Sequence, residues 1–103
     1  MLIHIVCWKY KPEITAEQRE EHRAKLRNLK GVIAEAVDLK VGADVLHIAR
    51  SYDTGLVVTF KDLQDLEVYT IHPIHQEVAN LGKQIAAHVI SVDFFDESPE
   101  NSD

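Results

Sequence analysis

Cysteine is almost absent from this chain: Cys7 stands alone, so a disulfide framework within one subunit is excluded. In its apolar run near the N-terminus it reads as a buried, inert thiol suited to a reducing compartment. Long apolar runs are missing too, and Met1-Leu2-Ile3-His4-Ile5 carries neither the basic flank nor the apolar stretch of a signal peptide. This predicts a cytoplasmic protein with no membrane partner. Basic residues are few: 11 Lys and Arg stand against 17 Asp and Glu, a formal net charge of -6. Such a field repels phosphate backbones and anionic lipids, which argues against nucleic acid as a partner. There is no internal repeat, and the one biased segment is the acidic stretch 96–103, which has nothing to bury and is predicted to be a disordered tail on a domain spanning 1–95.

What is present is an ordinary globular balance, with 46% hydrophobic and 27% charged residues in 103. A domain of that size buries only roughly two-thirds of the surface its unfolded chain exposes, so any further burial needs a partner. Leu2 to Tyr10 is rich in β-branched and aromatic residues and stops at Lys11-Pro12, as a first strand would. Thr15 followed by Gln18 is a capping box, and Gly31 a stop signal, which predicts a helix from about Ala16 to Lys30 with His22, Leu26, Leu29 and Ile33 on its buried stripe. Alternation from Val37 to Asp44 predicts a second strand with one wet face, placed at a sheet edge. Residues 46–54 remain unassigned, with turn chemistry at Asp53-Thr54-Gly55 and a third strand from Leu56 to Phe60.

Asp62 can cap a helix from about Leu63 to Ile71, which must end before Pro73, because proline disfavours helical geometry in His72. Pro73 then suits the first turn of another helix, with Ile74, Val78, Leu81 and Ile85 as its stripe. An alternating run from His88 to Phe95 is the last strand. The order β-α-β-β-α-β predicts an α+β, ferredoxin-like domain with a four-stranded antiparallel sheet. The first and last strands are apolar on both faces: Leu2, Val6, Trp8 and Tyr10 opposite Ile3, Ile5 and Cys7, and Ile90, Val92 and Phe94 opposite Val89 and Phe95. Helices can cover one face of a sheet, so the other predicts a homodimer.

Four features together resemble the stress-responsive dimeric α/β-barrel family: His4 on the first strand, the helix entry from Pro12 to Thr15, the run Tyr69-x-x-His72-Pro73-x-His75, and Asp93-Phe94 in the closing strand. The resemblance covers nearly all of the chain except the tail. It implies subunits that dimerise through their sheets into a barrel, with a pocket between each sheet and its helices for a small apolar or aromatic molecule. One plant type within the family, of the olivetolic acid cyclase kind, closes a linear polyketide by aldol condensation without any cofactor. The tyrosine and histidine it uses match Tyr69 and His75.

That chemistry needs a base near neutral pKa and a donor for the developing enolate oxygen, roles the resemblance assigns to His75 and Tyr69. His4 matches a pocket-lining histidine of the same cyclase, and strand alternation sets it on the face of Val6 and Trp8. The resemblance also places His22 and Leu26 on the first helix, and Ala86 near the end of the last, at pocket positions where the cyclase carries bulky aromatics. His72 completes the expected lining. A structural reading competes: His72 caps the segment begun by Pro73, and His75 bonds locally. The stripe Ala79, Gly82 and Ala86 then reflects close packing of helix on sheet.

His72, His75, His4 and His22 could in principle hold a transition metal, yet no carboxylate or cysteine joins them at ligand spacing, and no metal or other cofactor is predicted. His47 and His88 read as structural or exposed, and Trp8 as a core or interface anchor. Two further readings stand beside the cyclase: cofactor-free monooxygenases or haem-degrading enzymes of similar architecture, and a purely structural, stress-protective dimer.

Overall fold

A computed structural model describes residues 1–97. The predicted tail lies outside the described residues from position 98 onward. Seven elements follow one another: β1 (Leu2–Tyr10), α1 (Ala16–Val32), β2 (Asp38–Ala43), β3 (Thr54–Phe60), α2 (Leu63–Ile71), α3 (Pro73–Ile85) and β4 (Ala86–Phe95). The strands form one antiparallel sheet in the order β2-β3-β1-β4, the ferredoxin-like arrangement.

Helix α1 starts where the capping box requires. Thr15 Oγ1 accepts from the Gln18 amide at 3.1 Å, and Gln18 Oε1 accepts from the Thr15 amide at 2.8 Å. Its end differs from the expectation at Gly31. The helix runs on to Val32, because the Ile33 amide still reaches the Leu29 carbonyl at 3.0 Å and Gly31 keeps helical geometry. Helices α2 and α3 meet at His72, held in extended geometry by Pro73; its Nδ1 accepts from the Ile74 amide at 3.1 Å.

The turn expected at Asp53-Thr54-Gly55 falls earlier. Thr54 and Gly55 already belong to β3, opposite Trp8 and Cys7 of β1, and the β2–β3 connection is closed by the Asp44 amide on the Asp53 carbonyl at 2.9 Å. Strand β2 starts at Asp38, so Val37 lies outside it and is exposed.

Register sorts the side chains onto two faces. Leu2, Val6, Trp8 and Tyr10 of β1, with Leu56, Val58 and Phe60 of β3, pack under Leu26 and Leu29 of α1, Ile33 just past its end, and Val78 of α3 to form the core. The opposite face carries Ile3, Ile5 and Cys7 with Val57, Ile90, Val92 and Phe94, and no element covers it. Strand β4 is an edge whose helix-side residues Val89 and Phe95 are also exposed, because the helical layer stops short of it. No helix among the described residues is long and apolar enough to cross a membrane.

Candidate functional site

The residues singled out by sequence separate into two groups. Trp8, His22, Leu26 and Ala86 are buried in packing, and Ala86, expected near the end of the last helix, is instead the first residue of β4, because the chain turns extended after Ile85. His22 Nδ1 bonds the Tyr10 hydroxyl at 2.7 Å; that hydroxyl also meets Thr54 Oγ1 at 2.8 Å, and Arg23 Nη1 donates to Thr54 Oγ1 at 2.9 Å. The His22 ring stands edge-on to Trp8, with centroids 5.0 Å apart. Gly82 of α3 lies directly above both: a Cβ placed there would sit 2.8 Å from Trp8 Nε1 and 3.1 Å from His22 Nε2. The small-residue stripe is close packing at this point, and no ligand fits between these rings. Burial, with the nearby Arg23 charge, lowers the His22 pKa to about 4, so the ring is neutral.

The second group gathers where β1, β4 and the α2–α3 junction meet. Tyr69, in the last turn of α2, is fully buried. Its ring lies 4.3 Å from that of His75, 5.0 Å from Phe60 and 6.2 Å from His4, centroid to centroid. Its hydroxyl has no hydrogen-bond partner among the described residues. Burial pushes the phenol up to about 12, so it keeps its proton and can only serve as donor or neutral acceptor.

His75, in the first turn of α3, places Nδ1 3.0 Å from the Thr70 carbonyl oxygen. A carbonyl only accepts, so Nδ1 carries the proton and Nε2 keeps its lone pair. Burial lowers the His75 pKa below the usual value, against a smaller opposing effect of that bond. At neutral pH the ring is therefore an uncharged base next to a protonated phenol.

His4 faces the helices from β1, and its Nδ1 bonds the Asp93 carboxylate, its cross-strand partner on β4. The carboxylate fixes the tautomer and orients the ring, as second partners of functional histidines do. The two side chains are 16% and 37% exposed, so solvent reaches the cluster along the uncovered margin of β4. His72 is spent as the α3 cap, and Val6 lies in the core beneath.

Sequence reasoning missed Asp93 as the partner of His4, because the two are 89 positions apart and nothing in their spacing pairs them. Alternation in β4, which sets Asp93 on the helix side with Ser91 and Phe95, was the available signal. Two cavities lie elsewhere. One of about 610 Å3 is on the open sheet face, lined among others by Cys7, Gly42 and Gly55; one of about 570 Å3 lies between α1 and α3, lined among others by Ala24, Ile74 and Val78. Neither is lined by His4, Tyr69 or His75. Among the described residues no three His, Cys, Asp or Glu side chains are grouped to hold a metal ion.

Residues 2–96 match the model of a stress responsive A/B barrel domain. Olivetolic acid cyclase of Cannabis sativa is 34% identical over 74 residues, which cover 70% of this chain and 73% of that protein. A dimeric ferredoxin-like protein of unknown function from Thermobifida fusca superposes with a TM-score of 0.82 at 25% identity, covering 90% of this chain and 88% of the other. A hydroxynitrile lyase from Passiflora edulis superposes with a TM-score of 0.84 at 20% identity over 94% of each chain, a likeness of fold alone.

Proposed function

Because the chain belongs to the stress responsive A/B barrel domain family, we propose that it works as a homodimer closed through its open sheet faces and takes a small, largely apolar or aromatic molecule at the Tyr69–His75–His4 cluster. The observation that carries the binding reading is the Tyr69 hydroxyl: buried, unpartnered, and in contact with a neutral imidazole. An unsatisfied buried hydroxyl costs a folded protein about 1–3 kcal/mol, and a ligand oxygen would repay that cost. Phe60, packed edge-on to Tyr69, backs the cluster with an apolar wall, while His4, Asp93 and His75 would supply the polar contacts that orient a bound molecule.

A second reading, cofactor-free acid–base catalysis, is favoured by one specific arrangement. His75 presents an unprotonated Nε2, and Tyr69 a phenol that does not ionise near neutral pH. The imidazole would remove an acidic α-proton while the phenol donates to the enolate oxygen; the enolate carbon would then bond to a carbonyl carbon of the same molecule, whose C=O π bond opens to an alkoxide that takes the proton back from the imidazolium. The name of the relative, olivetolic acid cyclase, is that of a ring-closing enzyme, which supports this second reading. A purely structural dimer needs neither the free hydroxyl nor the free nitrogen. The acidic field, the cytoplasmic setting and the absence of nucleic acid or membrane partners complete the proposal.

The test is a proton NMR screen of a mixed library of aromatic and polyketide-like molecules, run beside analytical ultracentrifugation at micromolar concentration. Binding is expected to move the His75 and His4 ring resonances and leave His47 unmoved. A monomer in the centrifuge, or a library that shifts neither ring, would overturn the corresponding half of the proposal.

A further inference from the structure

The open sheet face is not flat. Its side chains fall into rows across the strands: Ile3 with Phe94, Ile5 with Val92 and Val57, and Cys7 with Ile90 on one side and Gly55 on the other. Gly55 in turn faces Gly42 of β2. Two paired glycines leave a hollow on the β2–β3 side, part of the 610 Å3 cavity, and a Cβ added to either would meet nothing within 4 Å. On the far side, β4 raises a ridge: Ile90, Val92 and Phe94 are 52%, 53% and 45% exposed.

A hollow and a ridge of opposite shape on one face can satisfy each other only across two copies. A two-fold axis perpendicular to the strands would stack β4 on β4 and leave both hollows empty, forfeiting the dispersion contacts of their walls. An axis parallel to the strands places each β4 over the partner's β2–β3 pair and fills both hollows at once. That operation also maps each row onto itself, so the Gly42–Gly55 row meets the row that holds Ile90.

We infer that the Gly42–Gly55 hollow is a socket for Ile90 of a second copy, and that this contact sets the two-fold axis of the dimer parallel to the strands. The inference rests on the homodimer reading above and specifies its geometry. The glycines then have a packing role that single-chain structure does not explain. Neither has the positive φ that would demand glycine, and glycine in a strand interior is otherwise unfavourable.

Gly55→Val tests it. In the isolated subunit valine has room and better strand propensity, so far-UV circular dichroism should stay native. In the dimer it fills the socket, and the dissociation constant measured by sedimentation should rise at least about tenfold. Ile90→Ala alone should also weaken the dimer, and adding it to Gly55→Val should recover part of the loss, a coupling that only residues in contact show. A native wild-type dimer that Gly55→Val leaves unchanged overturns the socket while sparing the dimer. Weakening without rescue overturns the assignment of Ile90. A monomeric wild type overturns the dimer itself and the socket with it.

Discussion

Substituting Gly82 sets two well-characterised effects against each other. Alanine is favoured over glycine in a helix interior by about 1 kcal/mol. At Gly82, however, the new methyl group would lie 2.8 Å from Trp8 Nε1 and 3.1 Å from His22 Nε2. Neither ring is free to swing aside: both are buried, and His22 is tied through Nδ1 to the Tyr10 hydroxyl. Overpacking of this kind costs about 1–3 kcal/mol, so the penalty exceeds the propensity gain and Gly82→Ala should destabilise by about 1 kcal/mol. Gly31, near the end of α1, has nothing within 4 Å, and Gly31→Ala should keep its propensity gain. Urea unfolding at one fixed protomer concentration compares the two, because the stability of an oligomer depends on concentration. The expected result is a lower midpoint for Gly82→Ala and an equal or higher one for Gly31→Ala, with unchanged slopes. A Gly82→Ala protein as stable as Gly31→Ala would refute the close approach of α3 to β1.

Tyr69→Phe removes a buried hydroxyl that has no partner, so the ligand-free protein should gain about 1 kcal/mol, seen as a higher urea midpoint. A loss of stability would mean that the hydroxyl is bonded in solution. The pH dependence has a defined sign. The folded His22 pKa, about 4, lies below its ordinary 6.5, so the unfolded chain binds the proton more tightly. The contribution of the neutral ring is complete above pH 6.5 and is lost as pH falls from 6.5 towards 4, on the order of 3 kcal/mol in all. His75, also lowered, adds in the same direction. Unfolding free energy measured across that window should rise with pH in the wild type and less steeply in His22→Gln; equal slopes would remove His22 from the account.

Local rules were legible where one segment settles its own geometry. The capping box at Thr15 and Gln18 and the break before Pro73 depend on neighbours within a few positions, and both are present in the structure. The stripe His22, Leu26, Leu29 and Ile33 is buried as helical spacing requires. Gly31 misled because a stop signal acts only if the next amide lacks a helical acceptor, and Ile33 has one in Leu29. What tertiary structure alone decides was not legible. His22 finds Tyr10 and Thr54 on two different strands, and His4 finds Asp93 on the strand at the other end of the chain. The paired glycines of the open face come together only through the β2–β3 register, since Gly42 and Gly55 flank a loop whose own sequence does not set its length of pairing.

If Tyr69 and His75 form one coupled, ligand-accessible pair, a proton NMR titration of the His75 ring in wild type and Tyr69→Phe, with and without an aromatic ligand from the screen, will show it. The expected result is a His75 pKa below the ordinary histidine value, a change in it when the Tyr69 hydroxyl is removed, and a further change on binding that Tyr69→Phe diminishes. A His75 that titrates at the ordinary value and responds to neither the substitution nor the ligand would contradict it and leave the junction a structural feature of the fold.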